Sequence, residues 1–178
     1  MRRPRQPWAP LLPSTVTSKK MTTRPARPDD VPVLVELVRE LATYERAPDQ
    51  VELHEALLDQ ALFGPSPKVF AHVAEDEGVV QGMAVWFVTY STWTGRHGIH
   101  LEDLFVRPTA RGQGAGRGLL SALARTAIDA GYRRLEWNVL DWNEPAIGFY
   151  RQLGAVPMTE WSGYRLSGPA LEDLADGN

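Results

Sequence analysis

Apolar positions recur along the chain in two periods, and the changes between them mark its elements. Residues 22–26 read as a first edge strand, weakened by Pro25. Leu34, Leu37, Val38, Leu41 and Tyr44 then form one helical stripe, with Asp29 as N-cap, Pro32 in the first turn and an end near Arg46-Ala47-Pro48. A second helix is predicted over about 53–63, closed by Gly64-Pro65. Residues 69–74 and 79–90 form a hairpin about Asp76-Glu77-Gly78. The second of these strands is apolar on both faces, so it belongs in the middle of a sheet. Residues 91–98 form a loop carrying Trp93, and a strand follows over 99–106 until Arg107-Pro108 ends it.

Leu119, Leu120, Leu123, Ala124, Ala127 and Ile128 define the next helix, capped by Gly131. The strand at 134–140 must run parallel to 99–106, because a helix joins them. Asn143 caps a helix over 144–153, with Pro145 in its first turn and Gly154 after its end. Alternation then predicts two short strands near 156–160 and 164–166, followed by a polar tail with one helical turn. The fold class is α/β: a mixed, mostly antiparallel sheet with one parallel pair, flanked by about four helices.

At 178 residues the chain has room for one domain, expected over 22–168, and a sizeable core. Residues 1–21, basic and proline-rich without periodicity, read as a disordered extension, and 169–178 as the polar tail. The extension is too broken by Pro10 and Pro13 for a secretory signal, and Met21 is a second potential start. No apolar run is long enough to span a membrane. There is no cysteine, hence no disulfide, thiolate nucleophile or cysteine-bound metal. His54, His72, His97 and His100 lack metal-ligand spacing. These features point to a cytoplasmic protein without a metal. The net charge of −3 conceals five basic side chains within residues 1–20; the remainder carries 14 basic and 22 acidic groups, a net −8. An acidic body argues against nucleic-acid binding and suits a small cationic partner.

The stretch from Ile99 to Leu120 carries the most chemistry. Gly112, Gly114, Gly116 and Gly118 stand at alternate positions before a helix, flanked by Arg111 and Arg117, with Arg107 nearby. The first turn of a helix offers free N–H groups and a partial positive charge. Glycines remove the Cβ atoms that would hold an anion away from those donors. The run is neither a nucleotide P-loop, since Gly116 precedes Arg117-Gly118 rather than Lys-Ser/Thr, nor a dinucleotide fingerprint, whose third glycine position holds Arg117.

Arg111-Gly112-Gln113-Gly114-Ala115-Gly116 resembles the Arg/Gln-x-x-Gly-x-Gly/Ala motif of the GCN5-related N-acetyltransferase superfamily. The flanks LEDLFV and DWNEPAIGFYRQLGA are similar to the diamine and thialysine N-acetyltransferases, and the likeness extends over about 24–166. The resemblance implies that superfamily's fold, with the parallel pair splayed at an acetyl-coenzyme A site, and a homodimer. It implies that Arg111, Gly112, Gln113, Gly114, Ala115, Gly116 and Arg117 hold the pyrophosphate. Leu104, Phe105 and Val106 would run beside the pantetheine arm, with a backbone N–H near Phe105 polarising the thioester carbonyl. Asn143 and Ala146 would contact the coenzyme, although Asn143 as a plain helix cap would look identical.

Acetyl transfer needs a neutral amine, a polarised carbonyl and a protonated leaving thiolate. A lysine-like amine has pKa about 10.4, so its neutral form near pH 7 is scarce by about three powers of ten, roughly 4–5 kcal/mol. Glu102 is the candidate base, by the resemblance acting through water; the alternative is a carboxylate that satisfies a nearby backbone group or arginine. Asp103, adjacent in an apolar strand, is a candidate substrate contact. A regular strand points the two to opposite faces, whereas a bulge changes that. Tyr150 is the candidate general acid, or else a core aromatic beside Phe149. Tyr44, Glu45 and Trp93 would line the amine pocket, with Glu45 on a distal ammonium. Tyr90-Ser91-Thr92-Trp93 and Val139-Leu140-Asp141-Trp142-Asn143 are closer to the thialysine branch than to the polyamine one. The implied reaction is direct transfer from acetyl-coenzyme A to a small primary amine, since no cysteine can hold the acetyl group. Acetylation of a protein or peptide, and a non-catalytic acyl-coenzyme A sensor, are the alternatives.

Overall fold

The computed structural model describes residues 21–177. The expected extension therefore lies almost wholly outside the described residues. The chain divides into two compact units, one ending at Asn138 and the other starting at Val139.

The first unit holds one five-stranded sheet in sequence order: β1 (Thr22–Pro25), β2 (Val69–Asp76), β3 (Val79–Ser91), β4 (Arg96–Val106) and β5 (Leu135–Trp137). The first four strands pair antiparallel, and β4–β5 is parallel, as the helical crossover requires. β3 is central. One face carries α1 (Val31–Tyr44) and α2 (Glu55–Phe63), which bury Leu34, Leu37, Leu58 and Leu62 against Val73, Met83, Val85 and Phe105. On the other face α3 (Ala115–Asp129) crosses β1 to β4 and buries Leu119 and Leu123 over the layer of Ile99 and Leu101. No helix among the described residues is long and apolar enough to cross a membrane.

Several boundaries differ from those the pattern predicts. The α1 N-cap position is Asp30, not Asp29, because a 3₁₀ turn over Pro28–Asp30 precedes the helix. The buried Asp30 carboxylate accepts from Arg27 N–H at 2.7 Å and from Arg24 at 2.6 and 3.0 Å, and Arg24 also reaches Glu75. These bonds hold the Asp30 carboxyl below its ordinary range and tie β1, β2 and α1 together. The expected loop at 91–98 shrinks to a short turn, since cross-strand pairs such as Tyr90 on His97, with ring centroids 4.9 Å apart, carry the hairpin further.

The predicted strand at 134–140 keeps only three residues. β5 pairs with Ile99–Leu101, and pairing stops where β4 bulges at the next residue.

The second unit contains α4 (Glu144–Gln152) and α5 (Pro169–Ala175). The strands predicted near 156–160 and 164–166 are absent; those residues form turns and irregular chain. Alternating apolar residues there, such as Val156, Met158 and Tyr164, are exposed. Alternation marks a strand only where a sheet edge is there to receive it, which a sequence pattern does not encode. The tail forms a seven-residue helix instead of a single turn, bringing the α-helices among the described residues to five.

Candidate active site

The site in the first unit is built on a β-bulge. In the β3–β4 ladder Val85 pairs with Asp103 and Trp86 with Leu101, so Glu102 is the extra residue without a partner. Without the bulge Asp103 would share the face of Leu101. With it, Asp103 opposes Val85 and shares the face of Phe105, on the α1 side of the sheet. That face also receives the end of α1, where Tyr44 packs on the core and Glu45 caps the helix.

The electrostatics follow from this placement. Burial, then the charges of Glu102 and Glu45, push the Asp103 carboxyl up to about 6. Every one of the three acts upward. Burial also raises Glu45. Glu102 is the accessible member, its side chain 60% exposed, with Oε2 3.9 Å from His100 Nε2. His100 stacks on Phe87 at 4.9 Å between centroids. Three carboxylates thus share one region, although no group of three His, Asp or Glu among the described residues could hold a metal ion. Such a site attracts a cation, and its exposed member can accept a proton from one.

The expected phosphate loop leaves β4 through a 3₁₀ turn at Pro108–Ala110 and opens α3. Gly112 and Gly114 have φ of +76° and +86°, the left-handed region, and a Cβ at either would meet only open space. Gly114 is the N-cap residue, with no side chain over the helix end. The first N–H groups of α3 are therefore uncovered by any cap, a cradle that fits a pyrophosphate. Gly118 serves packing instead: a Cβ there would lie 3.0 Å from Thr23 Cγ2 of β1.

The arginines do not all serve as the motif suggests. Arg107 is committed to α1: it lies 3.0 Å from Glu36 and 2.7 Å from Glu40, and donates to the Val80 carbonyl. It braces β4 against α1 and is not spare charge for the glycine loop. Arg111 turns its side chain back toward β4, its Cζ 5.1 Å from the Tyr44 ring centroid and 5.7 Å from that of Phe105. Its Nε donates to the Val106 carbonyl at 2.9 Å. Arg117 is exposed on the first turn of α3.

The structure does not bring Trp93 to the carboxylates. It stands 89% exposed in the β3–β4 turn, beyond Arg96, and the six residues from there to Glu102 span roughly 20 Å. Within the second unit, the Asn143 side chain accepts from the Ala146 N–H at 3.4 Å and so caps α4. Tyr150 lies in the last turns of α4, half-buried, its ring 5.5 Å from that of Phe149. Sequence reasoning missed His100 beside Glu102 and the aromatic seat of Arg111. A two-residue spacing on one strand hints at the first; nothing local hints at the second.

The model of the acetyltransferase (GNAT) family matches residues 34–155, from within α1 through the bulged strand and the glycine loop to the end of α4. The chain belongs to this family. GNAT acetyltransferases use acetyl-coenzyme A, and this family member is an acetyltransferase. It is 38% identical over 163 residues to the thialysine N-epsilon-acetyltransferase of Bos taurus, covering 85% of this chain and 95% of that protein. It is 30% identical over 196 residues to the L-ornithine N5-acetyltransferase NATA1 of Arabidopsis thaliana, covering 85% and 86%. Among solved structures, an integron cassette protein from the mobile metagenome of V. cholerae superimposes with a TM-score of 0.74 at 28% identity, covering 88% of this chain and 98% of that one.

Proposed function

We propose that this acetyltransferase moves the acetyl group of acetyl-coenzyme A to the primary amine of a small cationic substrate of the thialysine, ornithine or diamine type, in one ternary complex. The observation that carries the reading is the carboxylate group at the bulge. Asp103 and Glu45 attract the cationic amine, and Glu102 takes its proton, directly or through a water. The amine nitrogen then forms the new bond to the acetyl carbon while the bond from that carbon to sulfur breaks. Backbone N–H groups near Phe105 polarise the carbonyl, and Leu104–Val106 offer the pantetheine arm a strand edge. Gly112, Gln113, Gly114, Ala115, Gly116 and Arg117 hold the pyrophosphate at the start of α3. Asn143 and Ala146 belong to the coenzyme site, and Tyr150 gives its phenol proton to the leaving thiolate, recovering one from the acylated nitrogen, which sheds its second proton as the amide forms. Trp93, distant from the carboxylates of its own chain, would enter the reaction from a partner in a homodimer. The names of the thialysine and ornithine relatives support this substrate class.

Steady-state kinetics with calorimetry of coenzyme A binding test the assignment. Glu102→Gln is expected to lower kcat by about 10²–10³-fold with coenzyme affinity held within about twofold. Tyr150→Phe should lower kcat likewise. Unchanged kcat in Glu102→Gln would remove it as the base.

A further inference from the structure

A cavity of about 290 Å³ lies at the edge of the sheet where β1 stops. β1 ends at Pro25, opposite His72, while β2 runs on to Val69. The end of α2 closes over that gap with Leu62 and Phe63, and α3 does so with Thr126. Strand alternation puts Phe70, His72 and Trp86 on the face opposite Val73, Val85 and Asp103. Thr126 stands roughly 16 Å along α3 from Ala115, at 1.5 Å per residue. Neither the carboxylates of the bulge nor the glycine loop lines this cavity.

Its wall is aromatic: Phe70 stacks on Trp86 with ring centroids 4.6 Å apart. Three of its lining side chains carry hydrogen-bond donors, and two of those are spent. Trp86 Nε1–H donates to His72 Nδ1 at 3.2 Å, and the Thr126 hydroxyl donates to the Ala122 carbonyl at 3.0 Å. The third is His72, which is 8% exposed. With Nδ1 accepting, the neutral ring carries its proton on Nε2. Burial favours the neutral ring by pushing the His72 pKa down. The Nε2–H finds no acceptor among the described residues. No fully buried polar side-chain atom among them lacks a partner, so Nε2 is not sealed in; it opens on the cavity that His72 lines.

We infer that this cavity binds a small aromatic carbonyl compound, its ring against Phe70 and Trp86 and its oxygen accepting from His72 Nε2–H. An apolar pocket with one convergent polar group is the usual form of a small-molecule site. The volume is at the small end of such sites, room for a single substituted ring and too little for the coenzyme or a peptide. No carboxylate lines it, and a donor offers an ammonium nothing to bind, so the amine substrate is not its occupant. The site stands apart from the acetyl-transfer chemistry, and its test needs no turnover.

Acetophenone and ethylbenzene, the same ring with and without the oxygen, serve as probes. Each is titrated into the full chain and followed at the Trp86 indole N–H resonance, which Trp86→Phe assigns. Acetophenone should move that resonance saturably, with Kd near or below about 1 mM for so small a ligand. Ethylbenzene should bind about five- to tenfold more weakly, because it leaves the His72 donor unpaired. Thr126→Leu, which puts a larger apolar side chain into the cavity from α3, should abolish the acetophenone shift while the other indole resonances keep their native positions. An unmoved Trp86 resonance at millimolar acetophenone, or undiminished affinity in Thr126→Leu, would overturn the site. Equal affinity for the two probes would remove His72 as the anchor and overturn the ligand class. A second measurement needs no variant. In the native protein the acetophenone ring protons should show nuclear Overhauser effects to the Thr126 methyl group; effects only to residues elsewhere contradict the assignment.

Discussion

At the scale of single residues, Asp103 ties stability to function. Its carboxyl is raised from the ordinary 3.8 to about 6, so the folded protein holds that proton more tightly than the unfolded chain. Stability therefore falls as pH rises through roughly 4 to 6, and the penalty is fully present above that window. The difference corresponds to at most roughly 3 kcal/mol, and solvent near a half-buried group reduces it. Asp103→Asn is expected to stabilise the protein by about 1–2 kcal/mol at pH 8, with the gain vanishing near pH 4, in denaturant titrations at the two values. The same variant should raise the KM for the amine. A variant less stable than the native protein at pH 8 would show that Asp103 has a partner this account omits. Residue identity alone revealed the two adjacent acids in an apolar strand, and with them a reason to expect chemistry. It did not reveal which arginines were spare. Arg107 and Arg111 look alike as basic residues before the glycines, and only the fold gives one to Glu36 and Glu40 and the other to two aromatic rings.

At the scale of elements, one extra residue in β4 does two things. It turns Asp103 toward α1, and it ends the pairing with β5 after Leu101, so the parallel strand is shorter than its hydrophobic run. Strand, helix and turn types were legible because periodicity and glycine placement report them. The bulge was legible only as an option, since a ladder's register depends on the partner strand. The glycine loop divides similarly. Gly112 and Gly114 supply left-handed backbone, while Gly118 admits Thr23 of β1. Gly114→Ala places a side chain at φ +86°, which costs about 1–2 kcal/mol of stability. Its Cβ would stand in the cradle before α3, so coenzyme A affinity should fall by at least tenfold in calorimetry. Retained affinity would move the pyrophosphate away from that helix end.

At the scale of the molecule, the acidic balance of residues 21–178 suits the cationic acceptor proposed above. The central sheet was readable because its apolar runs are long and its turns explicit. The C-terminal region was not: Val156 to Leu166 alternates like a strand, yet finds no sheet partner in the second unit. The substrate remains the point on which the account turns, and mass spectrometry of the products reads it most directly. Purified protein would be incubated with acetyl-coenzyme A and, separately, thialysine, ornithine, a diamine, spermidine and a lysine-containing peptide. The account predicts a single added acetyl group on the small amines, thialysine or ornithine foremost, formed about 10²–10³-fold more slowly by Glu102→Gln. Acetylation confined to the peptide would contradict it.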